Sequence, residues 1–171
     1  MKHILATTLV ALGLAAAALA ADTKPLEAAG LTFKHPSAWT SQPASGMRVA
    51  TLMATVEGAE KPLEMAFFSF GAQGGIQANV DRWLKQFMPE PKVESKVEEL
   101  DAGGTKVTLV TATGTFNDTM KGTGPQPGST LLGAIIPAGD QNVFIKLTGP
   151  KDAVAKIAEE FKTMATSPFA K

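Results

Sequence analysis

The chain has no cysteine and no tyrosine among its 171 residues. Without thiols there is no disulfide scaffold, no thiolate nucleophile, no cysteine-bound zinc or iron–sulfur centre and no lipid-modified N-terminal cysteine. Charge of one sign is missing too, with 16 Lys and Arg against 16 Asp and Glu. Nucleic-acid binding draws much of its affinity from a basic surplus, so no nucleic acid is expected as a partner. Histidine is scarce: His3 and His35 are the two. No Gly-x-Ser-x-Gly elbow is present, and Ser45 and Ser129 have no histidine near in sequence. The glycine-rich stretch Gly71-Ala72-Gln73-Gly74-Gly75 lacks the Lys-Ser/Thr of a phosphate loop and the spacing of a dinucleotide fingerprint. No cofactor is expected.

The N-terminus supplies what is abundant, alanine and leucine. Met1-Lys2-His3 is followed by an apolar run from Ile4 to Ala20 that closes on Ala18-Leu19-Ala20. A short basic start, a hydrophobic run and small residues at −3 and −1 are the marks of a secretory signal. The run is also at the lower edge of what spans a bilayer, so a membrane anchor is the competing reading. We expect residues 1–20 to be removed and the protein to be periplasmic or secreted from a bacterium. No later run is long and apolar enough to span, so no integral membrane segment is expected after cleavage. His3 would leave with the leader, and His35 would be the only histidine of the mature chain.

Residues 21–29 read as a short, polar and flexible lead-in. Leu31-Thr32-Phe33-Lys34 alternates as a strand, and His35-Pro36 breaks it. Arg48–Val56 and Leu63–Phe70 follow as strands, the second apolar on both faces as in the middle of a covered sheet. Ile76, Val80, Trp83, Leu84 and Phe87 form one helical stripe, which Pro89 is expected to end. Lys92–Leu100 reads as a charged edge strand, with Asp101-Ala102-Gly103-Gly104 as a hairpin signal before the strand Thr105–Phe116. Asn117–Ser129 reads as a long loop, followed by strands at Thr130–Ile136 and Asn142–Thr148. The last helix begins at Pro150 and carries the stripe Val154, Ile157, Phe161 and Met164. Short turns between successive strands imply antiparallel pairing. The expected class is α+β: a single antiparallel β-sheet of about six to seven strands with two amphipathic helices packed on it, all within residues 30–169.

The opening Gly30-Leu31-Thr32-Phe33-Lys34-His35-Pro36-Ser37-Ala38-Trp39 resembles the start of the PsbP/Mog1-like family, where a first strand runs into a Pro-x-x-Trp corner. The helix after the third strand and the ending Ser167-Pro168-Phe169 are similar to that fold, although a proline interrupts the usual Ser-Phe pair. Met47-Arg48, Ala78–Trp83, Leu131–Ile135 and Lys146–Pro150 also resemble a group of small exported bacterial proteins. The resemblance implies a PsbP/Mog1-like sandwich. Some members of the family are accessory subunits of membrane complexes and one branch binds a small GTPase. It brings no catalytic motif to carry over.

Three kinds of chemistry compete. The first is binding without catalysis, to an envelope protein or a small ligand, through Met47 and Arg48 and through the loop residues Asn117, Asp118, Met120 and Lys121. Long loops in small domains are often where function sits. The second is hydrolysis with His35 as general base, which needs that ring in a concave pocket beside a hydroxyl or carboxylate. The third is copper handling by the thioethers of Met47, Met53 and Met65. Trp83 lies on the helical stripe and is expected in the core, while Trp39 is expected to pack under a sheet edge. Asp81-Arg82 and Glu98-Glu99 read as solvated surface. The first reading, a non-enzymatic binding or accessory domain, is the one the sequence favours.

Overall fold

A computed structural model describes residues 22–71, 75–117 and 122–170. The expected leader and the loop residues Asp118, Met120 and Lys121 lie outside the described residues.

The chain opens with a hairpin of β1 (Thr23–Ala28) and β2 (Leu31–Pro36). Its two-residue turn has positive φ at both Ala29 (50°) and Gly30 (78°), the geometry that matches the twist of paired strands. The lead-in expected at residues 21–29 is therefore corrected: most of it is strand. Of β1 only Ala28 is buried, so its order comes from pairing with β2 and leaves no apolar alternation to read.

Seven further strands form one antiparallel sheet: β3 (Thr40–Gln42), β4 (Arg48–Ala54), β5 (Leu63–Gly71), β6 (Glu94–Ala102), β7 (Thr105–Asn117), β8 (Pro125–Ala138) and β9 (Gln141–Pro150). Their order is β3-β4-β5-β9-β8-β7-β6. The α+β class, the large antiparallel sheet and the two helices stand as expected, with the first expected strand set apart in its own two-stranded sheet. β6 is the long edge strand, and its outward charges pair as Lys96–Glu98 and Glu99–Lys106. Charged, solvated edges of this kind discourage pairing with other chains. β8 starts five residues earlier than the expected strand, because Pro125–Ser129 continue the ladder with β7.

Alternation along these strands sends two sets of side chains to opposite faces. One set includes Leu52, Met65, Phe67, Ile136, Ile145 and Leu147, all essentially sealed from solvent. Over it lies α2 (Lys151–Thr166), whose stripe Val154, Ile157, Phe161 and Met164 is buried. Pro150 precedes the helix and Asp152 sits in its first turn, where a carboxylate suits the helix dipole. The β1–β2 hairpin covers the same face, with Phe33 edge-on to Phe67 at 5.4 Å. Trp39 is buried in this core. A single 3-10 turn, Ser167–Phe169, ties these parts together: Ser167 Oγ accepts the Lys34 N–H at 2.7 Å and donates to the Met164 carbonyl at 2.7 Å.

The opposite face is covered by α1 (Gly75–Leu84), through Val80 and Trp83 against Val110, Ala112, Leu131, Ile135 and Phe144, and by Phe87 and Val93 of the segment that follows it. Gly133 makes this possible, since a Cβ there would lie 2.2 Å from the Trp83 ring. The helix is shorter than the apolar stripe predicts. After Leu84 the chain bonds to β7 instead, with Met88 N–H donating to the Thr115 carbonyl and Asn117 N–H to the Gln86 carbonyl, each at 2.8 Å. Phe87 therefore sits on a bridge to Phe116, at a register shift in β7, rather than on a helical turn. The ten residues of α1 leave the β4–β5 end of this face without a helix.

Candidate functional site

The uncovered part of the α1 face holds a cavity of about 470 Å3. Its floor comes from the paired strands β5 and β9. Ala66 stands opposite Lys146 in the ladder, with Phe68 and Thr148 farther along the same face. Ala66 is small, and its row of the sheet is consequently low. One wall is the far end of the β7–β8 hairpin, where Phe116 and Gln126 are paired. Gln86 closes the side towards α1.

The mouth is formed by the turn between β3 and β4. Ser45 and Arg48 bridge each other, Gly46 takes φ 61°, and Met47 projects at the corner, 71% exposed. Arg48 stands opposite Phe68 in the ladder, yet its guanidinium reaches Glu64 at 2.9 Å, two same-face positions along β5. It thus lies across the low row of Ala66. Lys146 Nζ donates to Gln86 Oε1 and sits 5.1 Å above the centre of the Phe116 ring, a cation–π placement. Thr148 Oγ1 is buried and has no hydrogen-bond partner among the described residues.

The sequence-predicted residues distribute as follows. Met47 and Arg48 line the cavity. Asn117 ends β7 immediately beyond Phe116 and is held by its N–H to Gln86, without lining the cavity itself. Asp118, Met120 and Lys121 lie outside the described residues; Phe116 and Gln126 are cavity walls. Of the predicted residues, the fold thus brings Met47 and Arg48 to the cavity. Sequence reasoning missed Glu64, Phe68, Gln86, Phe116, Lys146 and Thr148. A faint signal existed: Glu64 and Lys146 are charged residues inside strands that are otherwise apolar on both faces.

His35 is elsewhere. It shares a face of β2 with Phe33, is 2% exposed, and donates from Nδ1 to the Pro36 carbonyl at 2.9 Å. It does not line the cavity, so the expectation of a general base in a concave site is corrected. The cause is strand alternation, which turns His35 inward with Phe33 toward the α2 core. The thioethers are divided too. Met65 pairs with Leu52 in the α2 core, Met53 pairs with Glu64 on the other face, and Met47 is at the mouth. Among the described residues no group of three or more histidines and carboxylates is placed to hold a metal ion. No described helix is long and apolar enough to cross a membrane.

No protein-family model matches the sequence, and no curated protein sequence matches it. Solved structures do match. The solution structure of cyanobacterial PsbP (CyanoP) from Synechocystis sp. PCC 6803 is 13% identical at a TM-score of 0.53, covering 91% of this chain and 96% of that one. The crystal structure of LpqN of Mycobacterium tuberculosis, involved in cell envelope biogenesis, is 10% identical at a TM-score of 0.53, covering 84% and 87%. Identity this low speaks for architecture alone. The seven-stranded sheet, its helices and the likeness to these structures establish that the chain has the PsbP/Mog1-like fold that its opening strand and Pro-x-x-Trp corner resemble.

Proposed function

We propose that this chain is an exported, non-enzymatic binding domain that takes a small ligand on the open half of its sheet. The observation that carries the reading is the cavity between β5, β9 and the β7–β8 hairpin. Its volume, about 470 Å3, falls in the range of roughly 300–1,000 Å3 where small-molecule sites occur. Its makeup fits as well: an apolar floor and wall with a few polar groups held by defined partners. Met47 and Arg48 contact the ligand from the mouth, and Asn117, Asp118, Met120 and Lys121 complete the proposed contact set. Export rests on the leader at residues 1–20, and the described similarity of LpqN to this chain is compatible with an envelope location.

Native mass spectrometry of the protein purified gently from its own envelope fraction tests this. The expected mass begins at Ala21 and carries a small adduct, which Ala66→Trp removes by filling the floor while the variant keeps its thermal unfolding transition. A co-purifying polypeptide retained by Ala66→Trp, or no adduct on either protein, overturns the pocket reading. A mass beginning at Met1 overturns export.

A further inference from the structure

The charged groups of the cavity are already committed to partners, and that commitment selects against a charged occupant. Arg48 is paired with Glu64 at 2.9 Å. Lys146 donates to Gln86 Oε1 and rests 5.1 Å above the centre of the Phe116 ring. Glu64 and Lys146 each keep a further partner in the chain. An ionic ligand must draw one of these groups away from a partner that the fold supplies. The partner left behind then loses its compensation, which offsets what the new contact contributes. An uncharged ligand leaves the pairs as they are. Neutral hydrogen-bonding groups line the cavity for it: the amides of Gln86 and Gln126 and the Ser45 hydroxyl. Gln126 donates from Nε2 to Thr123 Oγ1 at 2.8 Å, and an amide has donor and acceptor positions beyond one such bond.

The backbone is shaped around the same place. Among the described residues the large sheet shifts register twice, between Arg48 and Ala50 against β5 and between Gly114 and Phe116 against β8. A bulge re-aims the side chains beside it. Arg48 and Phe116 each stand at one of these shifts, and both line the cavity.

The apolar part of the lining is largely aromatic, with Phe68 and Phe116. Phe68 ends a row of rings that starts at Trp83 of α1. Trp83 meets Phe144 at 6.4 Å, Phe144 meets Phe70 at 6.0 Å, and Phe70 stacks on Phe68 at 6.1 Å and 14°. Phe116 is fixed edge-on by Phe87 at 5.3 Å. Rings held in this way favour a flat partner, whose offset or edge contacts add to its burial. The Met47 thioether at the mouth is a soft contact for such a body.

We infer that the cavity is a site for small uncharged aromatic molecules that carry a hydrogen-bonding group, with the ring system against Phe68 and Phe116 and the Arg48–Glu64 pair as the element that disfavours ions. This rests on the pocket reading above and adds charge and shape to it.

Calorimetric titration at neutral pH with four probes separates the claims. Three share their rings and differ in charge: 2-naphthol is neutral, 2-naphthoate is anionic and 2-naphthylmethylammonium is cationic. The fourth, octanol, is neutral without a ring. Naphthol is expected to bind one to one, and about tenfold more tightly than each of the other three. Glu64→Gln takes the carboxylate from Arg48, so naphthoate is expected to gain about tenfold in that variant while naphthol is unchanged. The variant is checked for an intact thermal transition, and the order of the four probes on the wild-type protein decides charge and shape without it. Naphthoate or the ammonium binding wild type as tightly as naphthol overturns the uncharged ligand. Octanol binding as tightly overturns the aromatic body. A naphthoate affinity equal in wild type and folded Glu64→Gln overturns the part given to the ion pair. In each of these cases binding that Ala66→Trp abolishes leaves the pocket reading standing. Failure of all four probes to bind, or naphthol binding untouched by Ala66→Trp, overturns the pocket reading itself and is recognisable as such.

Discussion

The two faces of the large sheet are built from the same strands and end in opposite conditions. On the α2 face a 16-residue helix, a hairpin and the 3-10 turn Ser167–Phe169 converge, and Phe33, Leu52, Met65, Phe67, Ile145 and Leu147 are sealed. On the α1 face a ten-residue helix seats one tryptophan over Gly133, and beyond it Phe70 and Met47 remain exposed. A sheet needs one covered face to be stable and can leave the other partly solvated. Here the division of labour follows that rule, with the sealed core concentrated on one side and the aromatic half of the other left open, where the binding site is proposed.

Substitutions can break this contrast or sharpen it. The largest effect is expected at Phe67→Ala, which opens the sealed face and should cost about 3–5 kcal/mol by denaturant unfolding. A cost near that of an exposed site would erase the difference between the faces. Gly133→Ala comes next. Its methyl collides with Trp83, so α1 must shift, at about 1–3 kcal/mol and with a change in tryptophan fluorescence. An unchanged emission spectrum would mean that Trp83 does not rest on this glycine. Ser167→Ala removes the hydroxyl shared by the Lys34 N–H and the Met164 carbonyl, and about 1 kcal/mol of stability with it. Hydrogen exchange at Lys34 should accelerate; protection equal to wild type would count against the link.

On the open face the expectation reverses. Arg48→Ala should cost only about 0.2–1 kcal/mol, because its pair with Glu64 is about a third exposed on both sides. A loss as large as that at Phe67 would make the pocket part of the core. The smallest effect concerns the edge strand. Lys96, by its hydrogen bond and its charge, holds the Glu98 carboxyl below its ordinary range. A lowered folded value stabilises above the ordinary carboxylate range and is lost as pH falls through the lowered one. Stability curves of wild type and Glu98→Gln should therefore differ slightly at neutral pH and converge in acid. Curves that stay parallel through the acid range would rule the pairing out.

Much of the fold was legible because its determinants are local. Alternation in Leu63–Phe70, the Gly103-Gly104 turn with φ of 60° and 90°, and the stripe of α2 each carry their own signal. β1 was not legible, since five of its six residues are not buried and only pairing with β2 orders them. The end of α1 was misjudged for a related reason: Phe87 obeys the helical period, but the backbone at Gln86 and Met88 finds partners on β7. The site was half legible. Met47-Arg48 stood out as a segment and lines the cavity, whereas Glu64, Lys146 and Thr148 become neighbours only through non-local pairing of β5 with β9.

That pairing gives β9 a role beyond its own residues. Among the described residues it is the last strand and the one that joins β3-β4-β5 to β6-β7-β8. A polypeptide emerging N-terminus first holds two half-sheets with nothing between them until Gln141–Pro150 arrives, and closing them is the slow, long-range step. Lys146 and Thr148 arrive on that same strand. The proposed site and the sheet are thus completed by the same strand, and a chain cut short before β9 would have neither.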